Sequence, residues 1–235
     1  HVLAPTEEAL RFCADVVGYV ADLFPGSPVH VGGDECPTAE WSQHHRGRAA
    51  LREHGLADAR QLQGLFTAAM AGAARERGRE ALAWDEALEA EAPDDLVVVA
   101  WRGADKGAAA ARAGHGVVMA PMDWLYLDWV SSDDPDEPVA QTVPPAVTTW
   151  ERVYAFRCVP EGLEPDAAAR IRGAQAQLWT EYIPTRDHLD YMAFPRLSAF
   201  AEAVWGTAGD VEEFRPRLAT HLARLGAKGI KYRPL

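Results

Sequence analysis

Cationic residues are scarce in this 235-residue chain: 23 Lys and Arg stand against 35 Asp and Glu, a formal charge of −12. Nucleic acid demands clustered Lys and Arg to neutralise its phosphates, and here the acids are spread along the chain, so that class of partner is excluded. Cysteine is nearly absent. Cys13, Cys36 and Cys158 cannot all pair, and their spacing matches no zinc pattern, so they are expected to be free, buried thiols. No uninterrupted apolar run approaches the roughly 18 residues of a membrane span, and the first residues lack a charged-then-apolar signal pattern. Nothing in the chain is therefore expected to span or target a membrane. A chain without disulfides can reside inside or outside the cell, and its Ala- and Arg-rich helices suggest a GC-rich coding source, so secreted and cytoplasmic bacterial settings both stay open.

What the sequence does have is apolar content, 48% of positions, enough for one sizeable core. The length alone would allow a whole α/β barrel of about 250 residues. Leu10, Cys13, Ala14, Val17 and Ala21 fall at helical offsets, with Thr6 as a cap and Glu7 and Glu8 in the first turn, predicting a helix from about Glu7 to Leu23. A strand at Val29–Val31 follows. After Pro37 comes a polar segment with His44 and His45, expected to be solvated loop with short helical pieces, and then an amphipathic helix carrying Leu62, Leu65, Phe66, Ala69, Met70 and Ala73.

Ala81–Trp84 and Leu96–Trp101 are unbroken apolar runs, as in parallel strands covered on both faces. A small helix over Lys106–Ala113 and a strand over Gly116–Ala120 continue the alternation. Residues 121–165 are rich in Pro, Asp and Trp without steady period, which marks a functional loop region. Ala174–Trp179 reads as the last strand, followed by a helical region interrupted at Pro195 and a final helix near Val211–Leu225. Strand alternating with helix means a parallel α/β fold with right-handed crossovers. Five strands are countable, where a closed barrel of this kind needs eight.

The most informative stretch is His30-Val31-Gly32-Gly33-Asp34-Glu35, where a strand runs into two adjacent carboxylates. Neighbours on a regular strand face opposite ways, so the two acids can serve one site only if the backbone kinks, and the glycine pair permits that. An isolated Asp-Glu pair would read as an acidic turn. The full string resembles the signature of glycoside hydrolase family 20, the β-N-acetylhexosaminidases. The resemblance continues in order through Ala83-Trp84-Asp85-Glu86, Ala100-Trp101, Tyr126-Leu127-Asp128, Gln177-Leu178-Trp179-Thr180-Glu181 and Phe194-Pro195-Arg196 to Trp205.

This resemblance implies a (β/α)8 TIM-barrel type of which only about strands four to eight are present, so residues 1–235 read as the C-terminal part of a catalytic barrel. It implies retaining, substrate-assisted hydrolysis of terminal N-acetyl-β-hexosamine from a glycan, with no cofactor and no metal. Glu35 would be the general acid and base, Asp34 the partner of the acetamido N–H, and Tyr126 a donor to the acetamido oxygen. Trp84, Trp101 and Trp179 would surround the sugar, Asp128 and Glu181 would accept its hydroxyls, and His30 would support the motif. Trp150 either lines the outer site or only packs. Two other readings stand beside this one: a carbohydrate-binding fragment inactive without the first three strands, and a metal-dependent hydrolase using His30, Asp34 and Glu35, for which no other strand end supplies a His. Strands left without neighbours predict open barrel edges that pair with another chain.

Overall fold

A computed structural model of the protein describes residues 1–141, 147–206 and 209–235. Eleven α-helices are described: α1 Glu7–Leu23, α2 Ala39–Gln43, α3 His45–Glu53, α4 Gln61–Arg75, α5 Ala104–Arg112, α6 Met122–Leu125, α7 Trp150–Tyr154, α8 Pro165–Ala168, α9 Arg186–Ala193, α10 Arg196–Trp205 and α11 Val211–Ala227. The strands are β1 Val29–His30, β2 Ala81–Trp84, β3 Val97–Ala100, β4 Val117–Met119 and β5 Ile171–Ala174. They form one parallel sheet in the order β1-β2-β3-β4-β5, the sequential order that right-handed βαβ crossovers produce. Among the described residues the sheet is open, with β1 and β5 as its two edges.

The chain divides into two compact units. The first comprises His1–Ala100, Asp105–Val118 and Glu164–Arg172; the second comprises Trp101–Ala104, Met119–Leu163 and Gly173–Leu235. In the first unit, α1 begins where the sequence predicts, because the Thr6 hydroxyl accepts the Ala9 N–H at 3.3 Å and satisfies one of the free donors of the first turn. Its Val17 packs with Ala71, Ala73 and Ala74 of α4, Ala81 and Ala83 of β2, and Leu96. Leu62 and Phe66 of α4 join Trp41 in a second cluster, and each such side chain withdrawn from water contributes about 1.5–3 kcal/mol. Every residue of β2 and β3 is buried, the reason their sequences show no polar alternation. Their register pairs Leu82 with Val97 and Trp84 with Val99.

In the second unit Ala140, Ile183 and Met192 are buried together, with Val130, Leu178 and Leu189 against them. Tyr154 stacks on Phe214 at 4.6 Å between ring centroids. Trp150 is buried beside Phe214 and under the Arg215 guanidinium. The described part of the expected loop region 121–165 contains three short helices, α6, α7 and α8 at its end. The last strand is displaced from the expected Ala174–Trp179 to Ile171–Ala174: Gly173 takes a positive φ of 150°, and beyond it the backbone bonds irregularly, Gln175 N–H to Met119 O and Gln177 N–H to Leu125 O. No helix among the described residues is long and apolar enough to cross a membrane.

Candidate active site

The first group of site residues lies in the first unit, at the exits of β1 and β2. β1 is only two residues long because Gly32 (φ 77°) and Gly33 (φ 100°) turn the chain into the left-handed region that glycine alone enters without steric cost. Glu35 follows at φ 47°, the only non-glycine residue with positive φ among those described, and such a backbone costs on the order of 1–2 kcal/mol. This is the kink that the adjacent carboxylates require. Asp34 and Glu35 are both exposed and line one open pocket of about 350 Å3 together with Gly33, Cys36, Trp41, Gln63 and Met70.

Side chains from elsewhere satisfy the backbone of this turn. Gly32 N–H donates to Nδ1 of His30 at 3.0 Å, the Gln63 side-chain amide donates to Gly33 O, and Glu35 N–H points to Oε1 of Glu86 at 3.4 Å. Trp84 N–H donates to Gly32 O at 3.1 Å, so the exit of β2 carries the turn as a further rung of the sheet. Trp84 itself is buried, its ring 4.7 Å from that of His30. His30 is exposed at the strand's end and is not a core residue. Desolvation nevertheless pulls its imidazole below the ordinary value, with the Asp34 carboxylate opposing.

A second group lies in the second unit. Tyr126 is buried, stacked on the half-buried Trp101 at 6.2 Å and edge-on to Trp179 at 6.4 Å and Trp129 at 6.1 Å. Backbone bonds from Leu127 N–H to Gln177 O and from Gln177 N–H to Leu125 O tie these aromatic residues to one rim. Trp179 is 42% exposed, so a large apolar face is open to a flat apolar ligand. Glu181 is exposed.

Asp128 is the chemically distinctive member. It is 6% exposed, and Oδ1 has no hydrogen-bond partner among the described residues, which leaves an acceptor waiting for a donor. Burial pushes its carboxyl up to about 6, and Glu181 adds to the rise; its own backbone N–H, that of Trp179 and the Arg196 guanidinium act in the opposite direction. Arg196, at 1% exposure, donates to the carbonyls of Leu127 and Trp129 at 2.6 Å each, of Thr148 at 3.1 Å and of Met192. Burial lowers its pKa to about 9, still charged at neutral pH.

The structure thus brings His30, Asp34, Glu35 and Trp84 together in one unit, and Trp101, Tyr126, Asp128, Trp179 and Glu181 together in the other. Sequence reasoning assigned no role to Gln63, Glu86 or Arg196. For Arg196 a signal existed: it opens α10, where a cation meets the positive end of the helix dipole, so something other than helix stability holds it there. Among the described residues no three His, Cys, Asp or Glu side chains are grouped so as to hold a metal ion.

The family model for glycosyl hydrolase family 20, catalytic domain, matches residues 1–208. A beta-hexosaminidase of Porphyromonas gingivalis is 38% identical over 232 residues, 97% of this chain and 30% of that protein. A beta-hexosaminidase of Vibrio furnissii is 33% identical over 86% of this chain and 33% of its own length. Among solved structures, a GH20 exo beta-N-acetylglucosaminidase of Vibrio harveyi in complex with N-acetylglucosamine superposes with a TM-score of 0.90 at 32% identity, covering 99% of this chain and 37% of that one. The GH20 beta-N-acetylhexosaminidase of Streptomyces coelicolor A3(2) gives 0.80 at 28% identity over 100% of this chain and 44% of that one. The fold is therefore of the TIM-barrel type, present in part. The chain spans about one third of the length of the curated relatives it matches.

Proposed function

The chain belongs to glycoside hydrolase family 20, and from that premise we propose that it carries the machinery for removing a terminal non-reducing N-acetyl-β-hexosamine from a glycan with the substrate's own acetamido group as nucleophile. The observation that carries this reading is the left-handed turn at Gly32, Gly33 and Glu35, which opens two carboxylates adjacent in sequence onto one pocket. Ordinary glycosidases need two carboxyl groups on opposite sides of the scissile bond, about 5–5.5 Å apart when retaining and wider when inverting; substrate assistance needs only one that reaches the leaving oxygen.

In this reading Glu35 protonates the glycosidic oxygen as the C1–O bond breaks. The acetamido carbonyl oxygen forms a bond to C1 in the same step, giving an oxazolinium ion and the freed alcohol. Asp34 accepts the acetamido N–H, orients the group and balances the positive charge of the ion. Glu35, now a carboxylate, takes a proton from water as the water oxygen attacks C1, which reopens the ring and restores the acid. Tyr126 donates its hydroxyl to the acetamido oxygen, a gain in orientation. Trp84, Trp101 and Trp179 pack on the acetamido methyl and the ring, and Asp128 and Glu181 accept sugar hydroxyls. His30 supports the turn through Gly32 N–H. The orphan Oδ1 of Asp128 supports its part, since a buried acceptor without a partner is made good by a hydroxyl.

The test is the demand for the 2-acetamido group. The chain is expected to cleave an aryl N-acetyl-β-glucosaminide and not the plain β-glucoside, and to bind a thiazoline mimic of the cyclised intermediate far more tightly than N-acetylglucosamine. Comparable rates on both glycosides, or a glycosyl ester trapped on Asp34 or Glu35, would overturn the mechanism. Binding of N-acetylglucosamine with no turnover of either glycoside would replace it with the carbohydrate-binding reading.

A further inference from the structure

We propose that Arg196 is a positioning residue for sugar binding: its buried guanidinium fixes the backbone on both sides of Asp128 and so aims the free carboxylate oxygen at a ligand hydroxyl. The inference rests on the reading of Asp128 as a hydroxyl acceptor. Its basis is the arrangement of donors. Nη2 bonds Leu127 O and Nη1 bonds Trp129 O, each at 2.6 Å, so the residues immediately before and after Asp128 are gripped by the two ends of one planar group. Nη1 also reaches Thr148 O at 3.1 Å, and Nε and Nη2 return to Met192 O one turn up the chain at 3.1 and 2.6 Å.

A guanidinium offers five N–H donors in a rigid fork, and here carbonyl dipoles rather than a salt bridge solvate it. A buried charge is costly unless so satisfied, and four carbonyls from three separate segments make an expensive way to fill space. An apolar side chain would pack there at less cost. What the charge adds is an orientation of Leu127–Trp129 that no apolar residue enforces, together with a positive field at Asp128. The charged and titratable groups facing this pair are Glu181 and Arg196 around Asp128, and Glu137, Arg233, Tyr191 and Asp128 around Arg196. Within that set Arg196 is the cation that favours the ionised, accepting form of Asp128, adding to the larger pull of the Asp128 and Trp179 backbone N–H groups.

The experiment measures affinity for N-acetylglucosamine across pH 4.5–8 in the whole chain and in Arg196→Lys, Arg196→Met and Asp128→Asn, with folding checked by circular dichroism. Arg196→Met is expected to weaken binding about tenfold or more at pH 8 and to shift the acid limb of the affinity profile to higher pH, since Asp128 then loses its cation. Arg196→Lys, keeping the charge with fewer bonds, is expected to restore the position of that limb and part of the affinity. A uniform loss in Arg196→Met with the limb unmoved assigns Arg196 to the fold alone and overturns the proposal, as does failure of both variants to fold. Unchanged affinity in Asp128→Asn would instead defeat the reading of Asp128, independently of Arg196.

Discussion

The side-chain amide of Gln63, on α4, donates a hydrogen bond to the carbonyl of Gly33, the residue before the Asp34-Glu35 pair. The helix therefore grips the acidic turn at the one peptide whose φ of 100° only glycine tolerates without strain, and a Cβ added there would meet Gln63 Nε2 at 3.1 Å. Gln63→Leu keeps the helix and most of the volume but leaves the turn free to relax. We expect kcat to fall about tenfold, with KM little changed and stability lowered by about 1 kcal/mol, the worth of one ordinary hydrogen bond. A variant with wild-type kcat would show that Glu35 needs no such hold.

Glu35→Gln tests the acid directly. Natural glycans have poor leaving groups and need the proton, so their cleavage is expected to drop by about a hundredfold or more; a dinitrophenyl glycoside, whose leaving group departs unprotonated, is expected to lose far less. Equal losses on the two substrates would remove Glu35 from the acid role.

Asp128 links stability to pH with the opposite sign to a salt-bridged carboxylate. Its folded-state pKa of about 6 lies above the ordinary 3.8, so the native state holds the proton more tightly than the unfolded chain. Folding is thus penalised above pH 6, by about 3 kcal/mol, and the penalty fades as pH falls from 6 towards 4. Asp128→Asn is expected to raise the melting temperature at pH 7, to lose that advantage near pH 4, and to weaken sugar binding at pH 7. A melting temperature lowered at pH 7 would contradict the burial argument.

How much of this was legible in the sequence depended on distance along the chain. Helix α1 was readable to the residue because its determinants are local: Thr6, two acids in the first turn and an apolar stripe of helical period. The placement of β5 was not, because Ala174–Trp179 is as apolar as a strand, and what ends the ladder is a glycine conformation and a switch of partners from Met119 to Leu125. The kink at Gly32–Glu35 was foreseeable from the glycines, while its fastening by Gln63 and Glu86 was not, since both come from elements far away in sequence. Arg196 was visible as a motif residue without a role. Its partners are main-chain carbonyls, which leave no trace in residue type.

The open sheet makes a prediction about the solution state. Among the described residues β1 has a neighbour on one side only, and two residues of edge backbone at Val29–His30 are left without a strand beside them. In the same unit α1 turns its other face outward, with Phe12 60% and Tyr19 68% exposed and Val16 and Leu23 between and beyond them at helical spacing. Water penalises that stripe, and unpaired edges and exposed apolar faces are relieved by association. We expect the isolated chain to self-associate, with sedimentation showing a mass that rises with concentration. Replacing Phe12 and Tyr19 by Glu is expected to shift the chain towards monomer without lowering its stability by more than about 1 kcal/mol, because both side chains are already largely in water. A wild-type chain that remains monomeric at a concentration on the order of 100 μM would sink the idea, since the stripe would then be tolerated in water as it stands.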